Sequence, residues 1–283
     1  MRLAEPMDQA TGLRRLFASS QVFRAAGVLG PDALRNARVC AELAQGLSRR
    51  GKQVLVLDEA RPPYNVCGMW GLMARRSLAD IPRLQLAEAI MEAGPGIRLL
   101  AAPDGLNTLA GLNEQFLMEM SEHWGDAPEW MLLNGGNGAQ GTGLATTADI
   151  RILVLPGDKS RLADAYAVLK SAHAAWSGGT WGVLVEGADL DRAQPLYNSL
   201  KETALRFLGF EPGYLGSLPK ANGQQHAGGL EGGHGALLAE YLQTLQVEQT
   251  INFEQYWQRM WLFSRMTLDS VGGKGRHADR HPG

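Results

Sequence analysis

The chain has 283 residues, 45% of them hydrophobic, and 27 Lys and Arg against 29 Asp and Glu. That balance excludes a chain disordered throughout, and a net charge of −2 excludes the broad basic footprint that grips nucleic-acid phosphates. Glycine is in excess, 35 residues where an average composition gives roughly 20, without the three-residue period of collagen.

Asp8 can cap a short helix with Leu13, Leu16 and Phe17 on one face. Val22 to Ala26 reads as a strand running into Gly27 and Gly30. Pro31 and Asp32 suit the first turn of a helix, which carries Leu34, Val39, Leu43 and Leu47 to Gly51. Cys40 and Cys67 make neither a disulfide framework nor a ligand-spaced cluster, so a reducing compartment and no structural zinc are expected. Gln53 to Asp58 is a nearly continuous apolar run, as a strand covered on both faces requires. Strand, helix and strand within about forty residues make a βαβ unit, which predicts an α/β fold with a doubly wound, mostly parallel sheet in three layers, α/β/α.

The alternation continues with a helix from Leu84 to Glu92, a strand at Ile97 to Ala101, a helix from Thr108 to His123 and a strand at Trp130 to Leu133. A glycine-rich loop, Gly135 to Gly143, precedes the strand Ile150 to Leu155. Then come a helix from Ser160 to Ala175, a strand at Trp181 to Val185, a helix from Asp189 to Leu208 and a short strand at Tyr214 to Gly216. These elements predict one domain over 21–248. Residues 221–235 read as a flexible loop, followed by helices at 236–247 and 251–266. In the last helix Phe253, Tyr256, Trp257, Met260 and Trp261 follow i, i+3, i+4, i+7, i+8 and form an aromatic stripe. The tail, 267–283, has no apolar pattern and is expected to be disordered. His226, His234, His277 and His281 fall in apparently mobile segments, which favours solvated loops over a metal site. No apolar leader and no apolar run of about 18 residues is present, so a cytoplasmic location is expected.

Several motifs keep their order and near-gapless spacing. They are Asp8-Gln9-Ala10 with Leu13-Arg14, Arg50 to Asp58, Ser77 to Asp80, Gly94 to Leu100, Ala163 to Ala167, and Leu215 to Pro219. On these the chain resembles the FlhG/FleN family of MinD/ParA-type (SIMIBI) ATPases, which govern flagellar number and placement in bacteria. The resemblance implies a P-loop NTPase fold and, in the family, Mg-ATP as cofactor. It also implies that the N-terminal element, 1–20, engages an FlhF-like signal-recognition-type GTPase through Asp8, Gln9, Ala10, Leu13 and Arg14. For the aromatic stripe two readings stand: the family's peripheral contact with the inner face of the membrane, or packing on the sheet domain.

The departures from the family pattern carry as much information as the matches. Counted back from Asp58, the phosphate loop falls on Gly30 to Ala37, where Pro31 replaces the signature lysine, Asn36 the phosphate-binding lysine and Ala37 the magnesium-binding threonine. Asp32 adds negative charge where polyphosphate would sit. Ala60 and Asn134 stand in place of two carboxylates, Glu186 in place of the adenine-reading asparagine, and Asn65 keeps its match. Gly30, Asp58, Asn65 and Asn134 are thus read as remnants of a nucleotide site, with no catalytic residue, cofactor or metal expected. The loop 135–143 is either a permissive connection or a remnant switch presenting Asn134 and Asn137. The function expected is regulation of flagellar number by binding FlhF-like or flagellar regulatory and basal-body proteins, with ATP hydrolysis lost. The alternatives are an ATP switch with Arg35 or Lys52 as the missing cation, and a membrane-associated scaffold.

Overall fold

The run Val54-Leu55-Val56-Leu57-Asp58 is buried at every position, so it can be only an interior strand. The computed structural model describes residues 22–83, 86–117, 127–136, 143–218, 234–244 and 251–275. Its strands are β1 (Arg24–Leu29), β2 (Val54–Asp58), β3 (Met91–Gly94), β4 (Ile97–Ala101), β5 (Trp130–Asn134), β6 (Ile150–Pro156), β7 (Thr180–Glu186) and β8 (Gly213–Leu218). They form one sheet in the order β3-β4-β2-β5-β1-β6-β7-β8. Every neighbouring pair among the described residues is parallel except β3 and β4.

The helices are α1 (Ala33–Arg49), α2 (Val66–Met69), α3 (Leu86–Ala89), α4 (Gly105–Ala110), α5 (Leu162–Ala175), α6 (Leu190–Leu208), α7 (His234–Thr244) and α8 (Phe253–Gly275). Alternation along each strand divides the apolar side chains between two cores. Leu55 and Leu57 of β2 join Val168 of α5, Leu200 of α6 and Trp257 of α8 on one face. Val54 and Val56 join Leu43 of α1, Val66 of α2 and Leu238 of α7 on the other. The three-layer, doubly wound fold is therefore as expected. Helix α6 ends at Gly209, whose φ of 78° is the left-handed cap that glycine supplies without strain.

Residues 84–92 differ from expectation. A 3₁₀ turn (Leu78–Arg83) and the short α3 replace the single helix. Met91–Gly94 turns back on β4 as a hairpin through Pro95 and Gly96, with Gly94 opposite Ile97. Gly96 has φ 68°, the backbone that a proline–glycine turn needs at its second central position. The helix predicted from Thr108 begins earlier, at Gly105, and breaks at Gly111; 118–126 lie outside the described residues.

Helix α8 settles where the aromatic stripe goes. Phe253, Tyr256, Trp257, Met260 and Trp261 are all buried and belong to the core that α5 and α6 share. The Phe23 ring lies 5.4 Å from Phe253 and 5.5 Å from Tyr256, centroid to centroid. Polar anchors fix the rotation of the helix: the hydroxyls of Tyr256 and Thr147 share a hydrogen bond (3.1 Å), Arg259 pairs with Asp149 (2.5 Å), and Trp261 Nε1 donates to the Leu112 carbonyl (2.9 Å). The side chains that would have faced lipid are the ones that seal the sheet. Phe253 to Trp261 thus pack their apolar face into the core of the sheet domain. The helix also runs on to Gly275, through part of the tail expected to be disordered. No helix among the described residues is long and apolar enough to cross a membrane.

Candidate functional site

In a parallel sheet, ligands meet the loops that follow the carboxyl ends of the strands. Gly30 follows β1, Asp58 ends β2, Asn65 precedes α2 and Asn134 ends β5, so the four expected remnants gather at that edge. The elements that bring them there are the parallel pairs β1–β5 and β2–β5, with Asp58 directly opposite Asn134.

The connection from β1 to α1 is only three residues, Gly30 to Asp32. Ala33 to Asn36, which the resemblance assigns to the phosphate loop, are instead the first turn of α1. A phosphate cradle needs consecutive backbone N–H groups free and converging. Here the Arg35 N–H donates to Asp32 Oδ1 (3.2 Å) and the Asn36 N–H to the Asp32 carbonyl (3.0 Å). The Asp32 carboxylate caps its own helix, an arrangement that contributes about 1 kcal/mol.

Gly30 is retained for contact. A Cβ there would come within 2.5 Å of Asn36 Oδ1 and 2.8 Å of the Val154 carbonyl. Asn36 is wholly buried, and its Nδ2 donates to the Gly30 carbonyl (3.1 Å) and the Gly136 carbonyl (2.9 Å). Asn36, which the resemblance aligns with a phosphate-binding lysine, therefore ties the loop after β1 to the loop after β5.

Asp58 is also used internally. Its carboxylate accepts from Val66 N (2.7 Å), Ala60 N (3.2 Å), Cys67 N (3.4 Å) and Asn134 Nδ2 (2.8 Å). Burial pushes its pKa up, and these donors work against that shift. Asn65 caps α2 by accepting from Gly68 N (2.9 Å). Cys40 and Cys67 are buried, and burial together with the nearby Asp58 raises both thiols, Cys67 to about 11. Neither is an activated nucleophile.

Charges close the mouth of the site. Glu186, at the end of β7, is paired with Arg35, and its Oε1 lies 2.8 Å from Arg38 NH1. Arg38 also holds Glu42 (3.1 Å), one turn along α1. The Arg35 that could have stood in for the missing cation is thus neutralised by Glu186 and Asp32, and Lys52, at the far end of β2, pairs with Glu129 (2.7 Å).

Glu59 is a member of the site that the sequence did not reveal. Its carboxylate accepts from Leu144 N (2.9 Å) and Ala145 N (3.1 Å), clasping the chain where it re-emerges after the glycine-rich loop. Burial raises its pKa to about 7 against these two donors and beside Asp58. A carboxyl group whose folded pKa lies above its unfolded value stabilises the fold below the unfolded pKa and loses that contribution as pH rises through the folded one. Between about pH 4.5 and 7, the wild-type chain is therefore expected to lose about 2–3 kcal/mol relative to Glu59→Gln. Urea unfolding of both chains at pH 5 and pH 8 checks this, and parallel pH profiles would refute it.

The other sequence-derived candidates fall elsewhere. Asp8, Gln9, Ala10, Leu13 and Arg14 lie outside the described residues, as do Asn137 and 138–142 of the glycine-rich loop and His226, His277 and His281. Among the described residues no group of His, Cys, Asp and Glu is placed to hold a metal. A cleft of about 280 Å³ opens at the opposite edge of the sheet, near the starts of β7 and β8, lined in part by His173, Trp181, Phe210 and Tyr241. Arg35, Arg38 and Glu42 share a helix face by their i, i+3 and i+4 spacings, a signal present in the sequence. Their partner Glu186 is 148 residues from Arg38 and carries none.

No family model matches the chain. It is similar to the antiactivator FleN of Pseudomonas aeruginosa, 24% identical over 198 residues, or 67% of this chain and 71% of that protein. Among solved structures it is similar to the MinD cell division protein of Aquifex aeolicus, with a TM-score of 0.55 at 17% identity, covering 82% of this chain and all of that one. A ParA family ATPase from Chlorobium tepidum superposes with a TM-score of 0.55 at 13% identity over 78% of this chain and 99% of that one. At these identities the structural likeness establishes the fold alone.

Proposed function

For a FleN-like chain on the MinD/ParA fold, we propose a regulator of flagellar number that works by binding protein partners and not by cycling ATP. The observation that carries this reading is that the ligand-facing ends of β1, β2 and β5 are closed by the chain's own groups. Asp32 caps the helix where phosphate would sit, Asn36 staples two loops together, and the Asp58 carboxylate is engaged by four donors. A magnesium-bound triphosphate does not fit that donor set. It would have to displace a carboxylate of the same charge sign from the helix end and strip Asp58 of its hydrogen bonds.

The partners proposed are an FlhF-like signal-recognition-type GTPase and flagellar regulatory or basal-body proteins, with the 1–20 element as the first contact. The similarity to a protein named as an antiactivator supports a protein target. The protein is proposed to act in the cytoplasm without a cofactor, and counting flagella in a deletion strain tests the biological role. Isothermal titration of the full chain with Mg-ATP is expected to give no binding heat up to about 1 mM. A dissociation constant below about 100 μM, or turnover that disappears in Asp58→Ala while the chain stays folded, would overturn the proposal.

A further inference from the structure

The segment 61–76, between β2 and the 3₁₀ turn, carries apolar side chains on both of its sides. Trp70, Leu72 and Ala74 pack against the core beneath α1, and Val66 and Cys67 are buried with them. Tyr64, Met69 and Met73 face out, at 55%, 37% and 83% exposure. Tyr64, Met69 and Met73 belong to neither buried core. Charge adds to the asymmetry. No acidic residue stands between Glu59 and Asp80, whereas Arg61, Arg75 and Arg76 do. Arg61 pairs with Asp104 (2.7 Å), while Arg75 and Arg76 are exposed and have no carboxylate partner among the described residues.

This surface is held firmly before any partner arrives. Asp58 accepts from Val66 N and Cys67 N, Asn65 caps α2, Leu72 N donates to the Cys67 carbonyl (2.9 Å), and the Ala74 N–H is directed to the Cys67 thiol. Asp58, read from the sequence as a remnant of a nucleotide site, is here the clamp for a presented loop.

We propose that Tyr64, Met69, Met73, Arg75 and Arg76 form a docking platform for an acidic amphipathic segment of a partner protein. The segment's apolar face would lie on the methionines and Tyr64, and its carboxylates would meet the guanidinium groups of Arg75 and Arg76. Methionine adapts its shape to an incoming apolar face, arginine offers a planar fork to carboxylates, and a pre-ordered surface lowers the entropic cost of docking. An anionic lipid surface is less well matched. Two arginines are a weak electrostatic anchor at such a surface, and Trp70, the side chain suited to the headgroup zone, is turned inward. The inference rests on the reading of this chain as a partner-binding protein and names the chemistry of one partner.

The test uses the full chain, with ¹³C-methyl-labelled methionine, and three probes. They are a helix-forming peptide of roughly 16 residues with Leu at i, i+3, i+4 and i+7 and Glu elsewhere, the same peptide with Lys for Glu, and phosphatidylglycerol–phosphatidylcholine vesicles. The Glu peptide is expected to bind and to shift the Met69 and Met73 methyl signals. Arg75→Glu with Arg76→Glu should weaken it about tenfold or more, and Met73→Ser should weaken it as well. Thermal midpoints should not move, because these side chains are exposed. Equal binding of the Lys peptide, indifference to the double reversal, or vesicle binding without peptide binding would overturn the platform. ATP binding with peptide binding intact would overturn the proposed function and leave the platform standing, so the two failures are distinguishable.

Discussion

Trp257→Ala is expected to destabilise the protein by about 3–5 kcal/mol, lowering the thermal midpoint by on the order of 10 °C for a chain of this size. Trp257 is 1% exposed, stands edge-on to Phe253 at 6.1 Å, and shares its core with β2, α5 and α6. Removing the indole leaves a cavity that the sheet on one side and an anchored helix on the other cannot collapse into. Leu262→Ala, on the outward face of the same helix at 53% exposure, should change stability by less than about 0.5 kcal/mol. Calorimetry on the two variants separates the readings of the aromatic stripe. A stripe reserved for lipid would leave the midpoint unmoved at Trp257 and lower vesicle binding instead. The geometry predicts the opposite, and a full deletion of residues 250–283 should unfold the domain and not merely release it from a surface.

Asp58→Ala is the second large effect. The substitution removes the acceptor for three backbone N–H groups and the Asn134 amide, all inside the fold. Unsatisfied donors cost about 1–3 kcal/mol each before relaxation or water entry, so a loss of about 3 kcal/mol or more is expected on urea unfolding. The damage should be local in its first effect. Hydrogen exchange at Val66 and Cys67 should accelerate well ahead of exchange in β6 and β7, because the clamp on the 61–76 platform is released while the central strands keep their ladder. Asp58→Asn, which keeps one acceptor, should recover part of the stability. Wild-type protection at Val66 and Cys67 in the alanine variant would refute the clamp. Glu59 in the same neighbourhood has different donors, Leu144 and Ala145, but the Asp58 charge helps to raise its pKa, so Asp58→Ala should also lower the Glu59 pKa.

Legibility in the sequence followed from how local each determinant is. The strand at 53–58 was readable because a continuous apolar run has one common solution in an α/β chain, and the helix at 189–208 because its cap and periodicity lie within it and its closing glycine, Gly209, directly after it. Strand β3 was not. Met-Glu-Ala-Gly is four residues of helix-compatible composition, and it becomes a strand only because Pro95-Gly96 folds it onto β4. The turn signal is local, but the strand exists only where β4 is present to receive it. At the site, Gly30, Asp58, Asn65 and Asn134 could be located through the resemblance, since they sit at fixed positions after strands. Glu59 and Glu186 acquire their roles from partners 85 and 148 residues away, and no spacing rule reaches that far.

The sequence by itself determined the layered α/β fold, the amphipathic last helix, and the absence of the lysines and carboxylates that the resembled family's nucleotide motifs carry, since periodicity and residue identity are local properties. Only the tertiary structure decided what replaced that chemistry. Whether the aromatic stripe met lipid or core depended on the surface opposite it, and whether the leftover Asp58, Asn36 and Asn134 were idle or employed depended on which donors and acceptors the parallel sheet brought to the same edge. The excess of glycine fits both levels. Its abundance was visible at once, but the reason for Gly30, a 2.5 Å approach to the asparagine that took the lysine's place, exists only when the chain is folded.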